Sequence, residues 1–283
     1  MNSVMIDICK LHPFEGHPFQ VQENEEMDVL VESIQTQGVL TPLIVRPKEN
    51  TEDEYEIVSG HRRFRAAEKA GMKEVPAFIY AMDRDAAAIA LVDSNLHREH
   101  LLPSEKAFAY RLKLEAMKRQ GFRSDLSSDQ VGRKKETAEM IAEQTNDSKT
   151  QVRRYIRLTC LLPEILQKVD EGRIAFTPAV ELSYLTKEEQ KNLVSEMEYA
   201  DATPNLSQAV RMRRFSKEGQ LSADVICAIM GEEKANQKEK LKIPMDRIRK
   251  FFPRSYTVAQ METEIVKLCE AQYRRRQRSR EER

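Results

Sequence analysis

Tyr55-Glu56-Ile57-Val58-Ser59-Gly60-His61-Arg62-Arg63-Phe64-Arg65-Ala66-Ala67-Glu68-Lys69-Ala70 reads as a strand, a glycine turn and a helix. Arg62, Arg63 and Arg65 sit on the turn and the first helical residues. Backbone N–H groups at a helix start already favour an anion, and guanidinium forks beside them grip phosphate oxygens in pairs. A salt-bridged corner without a ligand is the plainer reading of the same residues.

Working outward, Leu43-Ile44-Val45-Arg46-Pro47 is a second strand, joined to residues 55–58 through the charged turn 48–54. Met27, Leu30, Val31 and Ile34 fall at helical spacing, and Gly38 ends that helix. Residues 75–80 read as another strand and residues 85–92 as a helix leading into Asp93-Ser94-Asn95-Leu96-His97-Arg98-Glu99. After Pro103 the strand signal nearly vanishes. Residues 104–119 form a long amphipathic helix, 121–135 a polar loop, and 137–185 several short helices. Residues 188–198, 207–215 and 223–230 are further helices. The expected fold class is therefore α+β. A small mixed-sheet domain spans 1–102, and an all-α domain spans 103–230. A charged linker (231–240) precedes a helical C-terminal module, 241–283, which ends in a basic tail.

Length and composition agree with more than one domain, because 283 residues exceed one minimal core. A third of the residues are charged and Trp is absent, as in a soluble, helix-rich chain. The net charge of zero hides segregation. Residues 1–56 carry only Lys10, Arg46 and Lys48 against acids such as Glu23, Glu25, Glu26, Glu52, Asp53 and Glu54. Arg274, Arg275, Arg276, Arg278, Arg280 and Arg283 crowd the end. Such asymmetry points to a polyanionic partner. Cys9, Cys160, Cys227 and Cys269 lie far apart without metal-ligand spacing, so they read as free thiols in a reducing compartment. No apolar run approaches the ~20 residues of a membrane span. The expected location is the cytoplasm.

Residues 137–159 have the periodicity of a helix-turn-helix. Ile141 and Ala142 supply the apolar and small positions where two helices cross, and Asn146 suits the tight turn. Ser148-Lys149-Thr150-Gln151 has the spacing of a capping box, and Val152, Tyr155 and Ile156 face inward. Ser148, Lys149, Thr150, Gln151, Arg153, Arg154 and Arg157 are left as the exposed set, with no acid among them. Gln and Arg pair with base edges in the major groove, and Lys and Arg take phosphates. The alternative is a helical hairpin with a solvated basic face. Asn95 and Arg98 read either as helix-end residues or as ligands of a phosphate or metal.

These stretches stand in the order and spacing of the ParB family of chromosome and plasmid partition proteins. Residues 30–46, Leu-Val-Glu-Ser-Ile through Leu-Ile-Val-Arg, resemble the family's segment L-x-x-S-I-x-x-x-G-[VL]-[LI]-x-P-[IL]-x-V-R. Gly60-His61-Arg62-Arg63-Phe64-Arg65-Ala66 resembles G-E-R-R-x-R-A, and Ser94-Asn95-Leu96-His97-Arg98 resembles E-N-x-Q-R. Arg157-Leu158 and Gly172-Arg173-Ile174-Ala175-Phe176 match the helices behind the helix-turn-helix. The likeness covers residues 4–190.

The resemblance implies a ParB/sulfiredoxin-like N-terminal domain and a sliding DNA clamp. Such a clamp binds CTP with Mg²⁺, hydrolyses it slowly, dimerises through its C-terminus and stimulates a ParA-type ATPase. By the same resemblance, Ser59, Gly60, His61, Arg62, Arg63 and Ala66 form the phosphate segment. Thr41, Pro42, Ile44 and Arg46 line the nucleoside pocket. Asn95 and Arg98 hold the triphosphate end, with Asn95 the candidate for the nucleotide's Mg²⁺. The DNA partner is a palindromic double-stranded site on a chromosome or plasmid. His61 and Ser94 stand where the family has carboxylates, which are the natural candidates for positioning Mg²⁺ and the attacking water. CTP binding with slow or no turnover is therefore expected.

No family C-terminal dimer domain is evident. Met261, Ile265 and Leu268 give the last helix, residues 258–276, a stripe that pairs with a second copy or folds onto Ile243, Ile248 and Phe252. Two other classes compete. Sulfiredoxin-type chemistry needs a cysteine beside the His-Arg turn, and Ser59-Gly60-His61-Arg62 has none. A transcriptional regulator with a vestigial first domain is the other.

Overall fold

Leu43, Val45, Ile57, Val75 and Ala77 are wholly buried, and they come from three neighbouring strands of one sheet. The computed structural model describes residues 3–51, 53–98, 101–120, 137–145, 147–232, 245–253 and 255–281. Its sheet comprises β1 (Val4–Asp7), β2 (Leu11–Pro13), β3 (Leu43–Pro47), β4 (Tyr55–Ser59) and β5 (Glu74–Ile79), in the order β1-β5-β3-β4-β2. The β1–β5 and β3–β4 pairs are antiparallel, and the β3–β5 and β2–β4 pairs parallel. A mixed sheet followed by helices is α+β, as the sequence led one to expect. β1 and β2 carry no legible period. Each is too short for alternation to register, and each sits at an edge of the sheet.

Two apolar layers cover the sheet. One is built with α1 (Glu25–Gln37) and α2 (His61–Lys69), around Met27, Ile34 and Phe64. The other is built with α3 (Arg84–Asn95) and α4 (Pro103–Arg119), around Val58, Leu91 and Ala109. Capping sets these boundaries. Asn24 accepts a hydrogen bond from the Met27 N–H at 3.1 Å, and Glu25, Glu26 and Asp28 complement the helix dipole. Asp83 caps α3 from the Ala86 N–H at 2.7 Å, and the helix runs on to Asn95, past the expected end at Val92. The Glu105 carboxylate takes the Leu102 and Gln20 N–H groups at 3.0 and 2.7 Å, and Asp170 takes that of Ser104 at 2.9 Å. These bonds tie the start of α4 to both the first segment and the later helices.

The helical part continues with α5 (Thr137–Glu143), α6 (Lys149–Leu158), α7 (Pro163–Asp170), α8 (Phe176–Leu182), α9 (Lys187–Tyr199), α10 (Leu206–Lys217) and α11 (Ala223–Met230). Leu158, Ile165, Ile174, Leu182, Leu193, Met212 and Ile226 form its core. A buried lysine joins the layers. Lys113 of α4 is 1% exposed, and its ammonium donates to Asp93 of α3 and to Gln144 at the end of α5. No helical period foretells a charge at that inward position.

The chain divides into two compact units, Met1–Glu232 and Glu233–Arg283. The second contains α12 (Met245–Arg249) and α13 (Val258–Glu281). Within it, Arg249 Nη1 donates to the Tyr256 carbonyl at 2.8 Å and meets Met261 Sδ at 3.6 Å. Met261 is buried, Ile265 half-buried and Leu268 exposed, so the expected stripe is covered only at its start. α13 stays helical to Glu281, beyond the expected end at Arg276. Ile243, Asn146, the loop 121–135, most of the linker 231–240, Glu52, Glu99 and the side chains of 275–283 lie outside the described residues.

Candidate phosphate cavity and DNA-reading helix

Gly60 is the N-cap of α2 with φ +105°, in the left-handed region, and a Cβ there would lie 2.7 Å from Leu43 Cδ2. Only glycine fits. Ile44 pairs with Ser59 but Val45 with Ile57, so Val58 is an extra residue in β4, a bulge that bends the strand pair just before the turn. Unlike α1 and α3, α2 has no side-chain cap, so its first N–H groups remain available.

A cavity of about 270 Å³ opens beside this turn. Ser59, Gly60, His61, Arg62 and Arg63 form one wall, Ser94, Asn95 and Arg98 a second, and His17, Gln20 and Val21 a third. The structure thus brings together the two segments predicted to bind phosphate. Arg63 Nη1 donates to the carbonyls of Thr41 and Pro42, the latter at 2.9 Å, and burial pulls its guanidinium below its usual pKa. Arg62 reaches Glu26 at 3.1 Å, and Arg98 lies over the Phe19 ring at 5.9 Å. Asn95 Nδ2 donates to the Leu91 carbonyl at 2.8 Å and to Ser94 Oγ at 3.1 Å.

Two histidines complete the cavity. The rings of His17 and His61 lie against each other, centroids 3.8 Å apart and planes tilted by 37°. Burial lowers the pKa of His61 to about 3 and of His17 to about 4, and the Arg98 charge adds to both. His61 Nε2 is buried without a hydrogen-bond partner. The sequence offers no signal for His17, a loop residue brought to His61 only by folding.

Other predicted site residues fall elsewhere. Thr41 and Pro42 act through carbonyls that hold Arg63, and do not line the cavity. Ile44 packs against the core layer beneath α3 and α4, and Ala66 is wholly buried in the other layer. Arg46 is 3% exposed and occupied by Glu56, at 2.8 Å from Nε and 2.6 Å from Nη2, and by Glu49 at 3.0 Å. It is a cross-strand ion pair, not a cavity residue. No carboxylate lines the cavity, and the described residues hold no cluster of three or more His, Cys, Asp or Glu. A protein-held Mg²⁺ wants at least a carboxylate, so this donor set does not fit one.

On the helical side, α5 and α6 take the expected helix-turn-helix positions. Ile141 and Val152 are fully buried, and Ser148 Oγ caps α6 from the Gln151 N–H at 3.2 Å. Asp147 anchors the start of α6, accepting from Tyr110 Oη at 2.6 Å and pairing with Lys106 at 2.6 Å. Burial and the nearby Asp147 carboxylate push the Tyr110 hydroxyl pKa upward, so it stays a donor. Thr150 and Arg153 are exposed, Gln151 is half-buried, and Lys149 faces Glu139 at 3.6 Å. Arg154 and Arg157 are not loose. Arg154 lies over the Phe176 ring at 5.0 Å and donates to Thr177 Oγ1 at 3.0 Å. Arg157 donates to the Ser183 carbonyl at 2.9 Å and lies 4.2 Å from the Tyr184 ring. α8 and the turn after it therefore fix two of the predicted DNA-facing arginines, by contacts that sequence spacing does not reveal.

All four cysteines are free, and no helix among the described residues is long and apolar enough to cross a membrane. Residues 1–96 match the ParB N-terminal domain family. The chromosome-partitioning protein Spo0J of Thermus thermophilus is 34% identical over 188 residues, 66% of this chain and 62% of that protein. A probable chromosome 1-partitioning protein ParB of Deinococcus radiodurans is 35% identical over 198 residues, 70% and 60% of the two chains. A nucleoid occlusion protein of Listeria innocua is 34% identical over 191 residues, 67% and 60%. The match thus spans about three-fifths of these relatives' own length. Among solved structures, ParB from Caulobacter crescentus complexed to the centromeric parS site is 24% identical, with a TM-score of 0.43. That match covers 75% of this chain and 99% of the other. The same protein complexed with CTP-gamma-S is 27% identical, with a TM-score of 0.33 over 70% and 99% of the two chains. Residues 1–96 thus belong to the ParB N-terminal domain family, and the chain is similar, over about two thirds of its length, to proteins named for chromosome partitioning.

Proposed function

We propose that this chain is a site-specific DNA-binding partition protein whose hold on a palindromic double-stranded site responds to CTP. The cavity carries this reading. A glycine turn, an uncapped helix start and the cationic groups of Arg62, Arg63 and Arg98 meet in about 270 Å³. Polyphosphate is the ligand class that suits such a lining, and the family resemblance names CTP. Magnesium finds no carboxylate in the described lining, and His61 and Ser94 occupy the positions of the family's carboxylates. Turnover is accordingly slow or absent, and the nucleotide acts by being bound.

DNA is read by Thr150, Gln151 and Arg153 of α6, with Ser148 at its N-terminus and with Lys149, Arg154 and Arg157 supplying phosphate contacts. A palindrome calls for two copies, and the uncovered part of α13 is the surface on which they pair. The working complex sits on chromosomal or plasmid DNA in the cytoplasm and is moved by a ParA-type ATPase.

Footprinting on the source replicon with and without CTP is the test. One protected palindrome with CTP-dependent spreading is expected, together with loss of CTP binding in Arg63→Ala. Protection of a single promoter, indifferent to CTP, would instead identify a transcriptional regulator. A second reading keeps the same chemistry for nucleoid occlusion, because relatives of that name match as well as those named for partition. Co-elution with a ParA-type ATPase separates the two.

A further inference from the structure

We propose that the cavity binds its polyphosphate as the metal-free anion, and that Mg²⁺ competes with the arginines for the phosphate oxygens instead of helping to hold the ligand. The inference rests on the nucleotide reading above. It goes further by naming the form of the triphosphate that binds and the sign of the metal's effect.

The lining supplies donors and positive charge, and little that suits a hard cation. Arg62, Arg63 and Arg98 offer guanidinium N–H groups and accept nothing. The side-chain oxygens of the lining belong to Gln20, Ser59, Ser94 and Asn95, and all are neutral. Ser94 Oγ is already engaged, donating to the Leu91 carbonyl at 2.9 Å and accepting from Asn95 Nδ2 at 3.1 Å. Glu26 and Glu105 line the adjoining recess, and both are taken. Glu26 pairs with Arg62 at 3.1 Å, and Glu105 accepts from the Gln20 and Leu102 N–H groups at 2.7 and 3.0 Å. Mg²⁺ demands near-octahedral oxygen coordination and sits on one or two carboxylates beside the phosphates it joins. In this cavity the anionic oxygens are the ligand's own.

Those oxygens are the ones the guanidinium forks need. Arg63 is held by the Thr41 and Pro42 carbonyls, and Arg98 lies over the Phe19 ring. Among the described residues neither pairs with an acid. Their uncompensated charge is best matched by the fully ionised triphosphate, and each paired guanidinium–phosphate contact takes two oxygens at a time. A Mg²⁺ ion on the same oxygens cancels two of the ligand's charges, blocks those forks and brings its own charge among the arginines. With no carboxylate in the lining, nothing offsets that repulsion. The start of α2 acts in the same direction, because its uncapped N–H groups also favour negative charge.

Equilibrium dialysis of the full chain against labelled CTP, in EDTA and in millimolar MgCl₂ at matched ionic strength, reads the sign. Binding is expected to be tightest in EDTA and about tenfold weaker in MgCl₂, where only a minor fraction of the CTP stays metal-free. Arg98→Ala should cost more affinity in EDTA than in MgCl₂, because the free anion depends most on that guanidinium. Ser94→Glu puts a carboxylate into the wall and should reverse the order, weakening binding in EDTA and letting MgCl₂ restore it. Circular dichroism checks that both variants fold, and the unaltered chain decides the sign if either does not. In the unaltered chain, CTP that binds equally well or better in MgCl₂ overturns the inference and leaves the nucleotide reading standing. A folded Ser94→Glu that still binds tightest in EDTA overturns the assignment of the effect to the missing carboxylate. No CTP binding in either condition overturns both the inference and the nucleotide reading.

Discussion

His17 and His61 show how far a single residue's behaviour departs from its sequence context. Both are depressed in the folded protein, to about 4 and about 3, while an unfolded chain titrates near 6.5. As pH falls below 6.5 the unfolded state binds protons that the folded state refuses, so stability present above that pH is lost toward pH 4. Urea midpoints measured without nucleotide should therefore drop between pH 7 and pH 4.5. The His17→Gln/His61→Gln double variant should flatten that drop. A midpoint independent of pH in the unaltered chain would contradict the burial of the pair. His61 was legible as a turn residue beside arginines, whereas its ring partner was not, since 43 residues separate them and nothing periodic links them.

At the scale of elements, the β3–β4 pair is pinned by Arg46 and Glu56, facing residues of the register and both nearly unexposed. Removing one buried partner strands the other's charge. Glu56→Ala should lose about 3–5 kcal/mol in denaturant unfolding, and Arg46→Met/Glu56→Leu should recover most of it. Full retention of stability in the single variant would show that Glu49 alone satisfies the guanidinium. The family resemblance placed Arg46 in the nucleoside pocket. Register, set by the turn 48–54, places Glu56 across from it. On the helical side, Thr177→Val removes the hydroxyl that holds Arg154 while keeping volume. Site-DNA affinity in that variant should fall about two- to tenfold, the worth of one hydrogen bond. The loss should vanish when Arg154→Ala is already present, and additive losses would show that Thr177 acts independently of that arginine.

For the whole molecule, the break at residue 232 separates a unit containing the cavity and α6 from one containing α13. Val266, Leu268 and Tyr273 remain exposed on α13, a helix whose start alone is covered by its own unit. A chain of residues 1–232 is expected to bind CTP with unchanged stoichiometry yet sediment as a monomer. Its affinity for the palindrome should drop sharply because the second half-site is no longer tethered. A dimeric 1–232 fragment would move the pairing surface off α13. Salt dependence should remain steep in both forms, since phosphate contacts on α6 persist.

Local chemistry decided much of this protein before any folding was considered. Gly60 has to be glycine for the turn, Asn24, Asp83 and Ser148 mark helix starts, and the periodicity of residues 137–159 yields a basic second helix. These features depend on neighbours within a few residues, which is the range that sequence patterns encode. Tertiary structure alone decided that Lys113 is buried between α3 and α5, that α8 and the turn after it fix Arg154 and Arg157, and that His17 closes over His61. Each of these joins residues distant in the chain, and their energies arise from desolvation and direct contact. Those quantities come into being only when the chain has excluded water from between them.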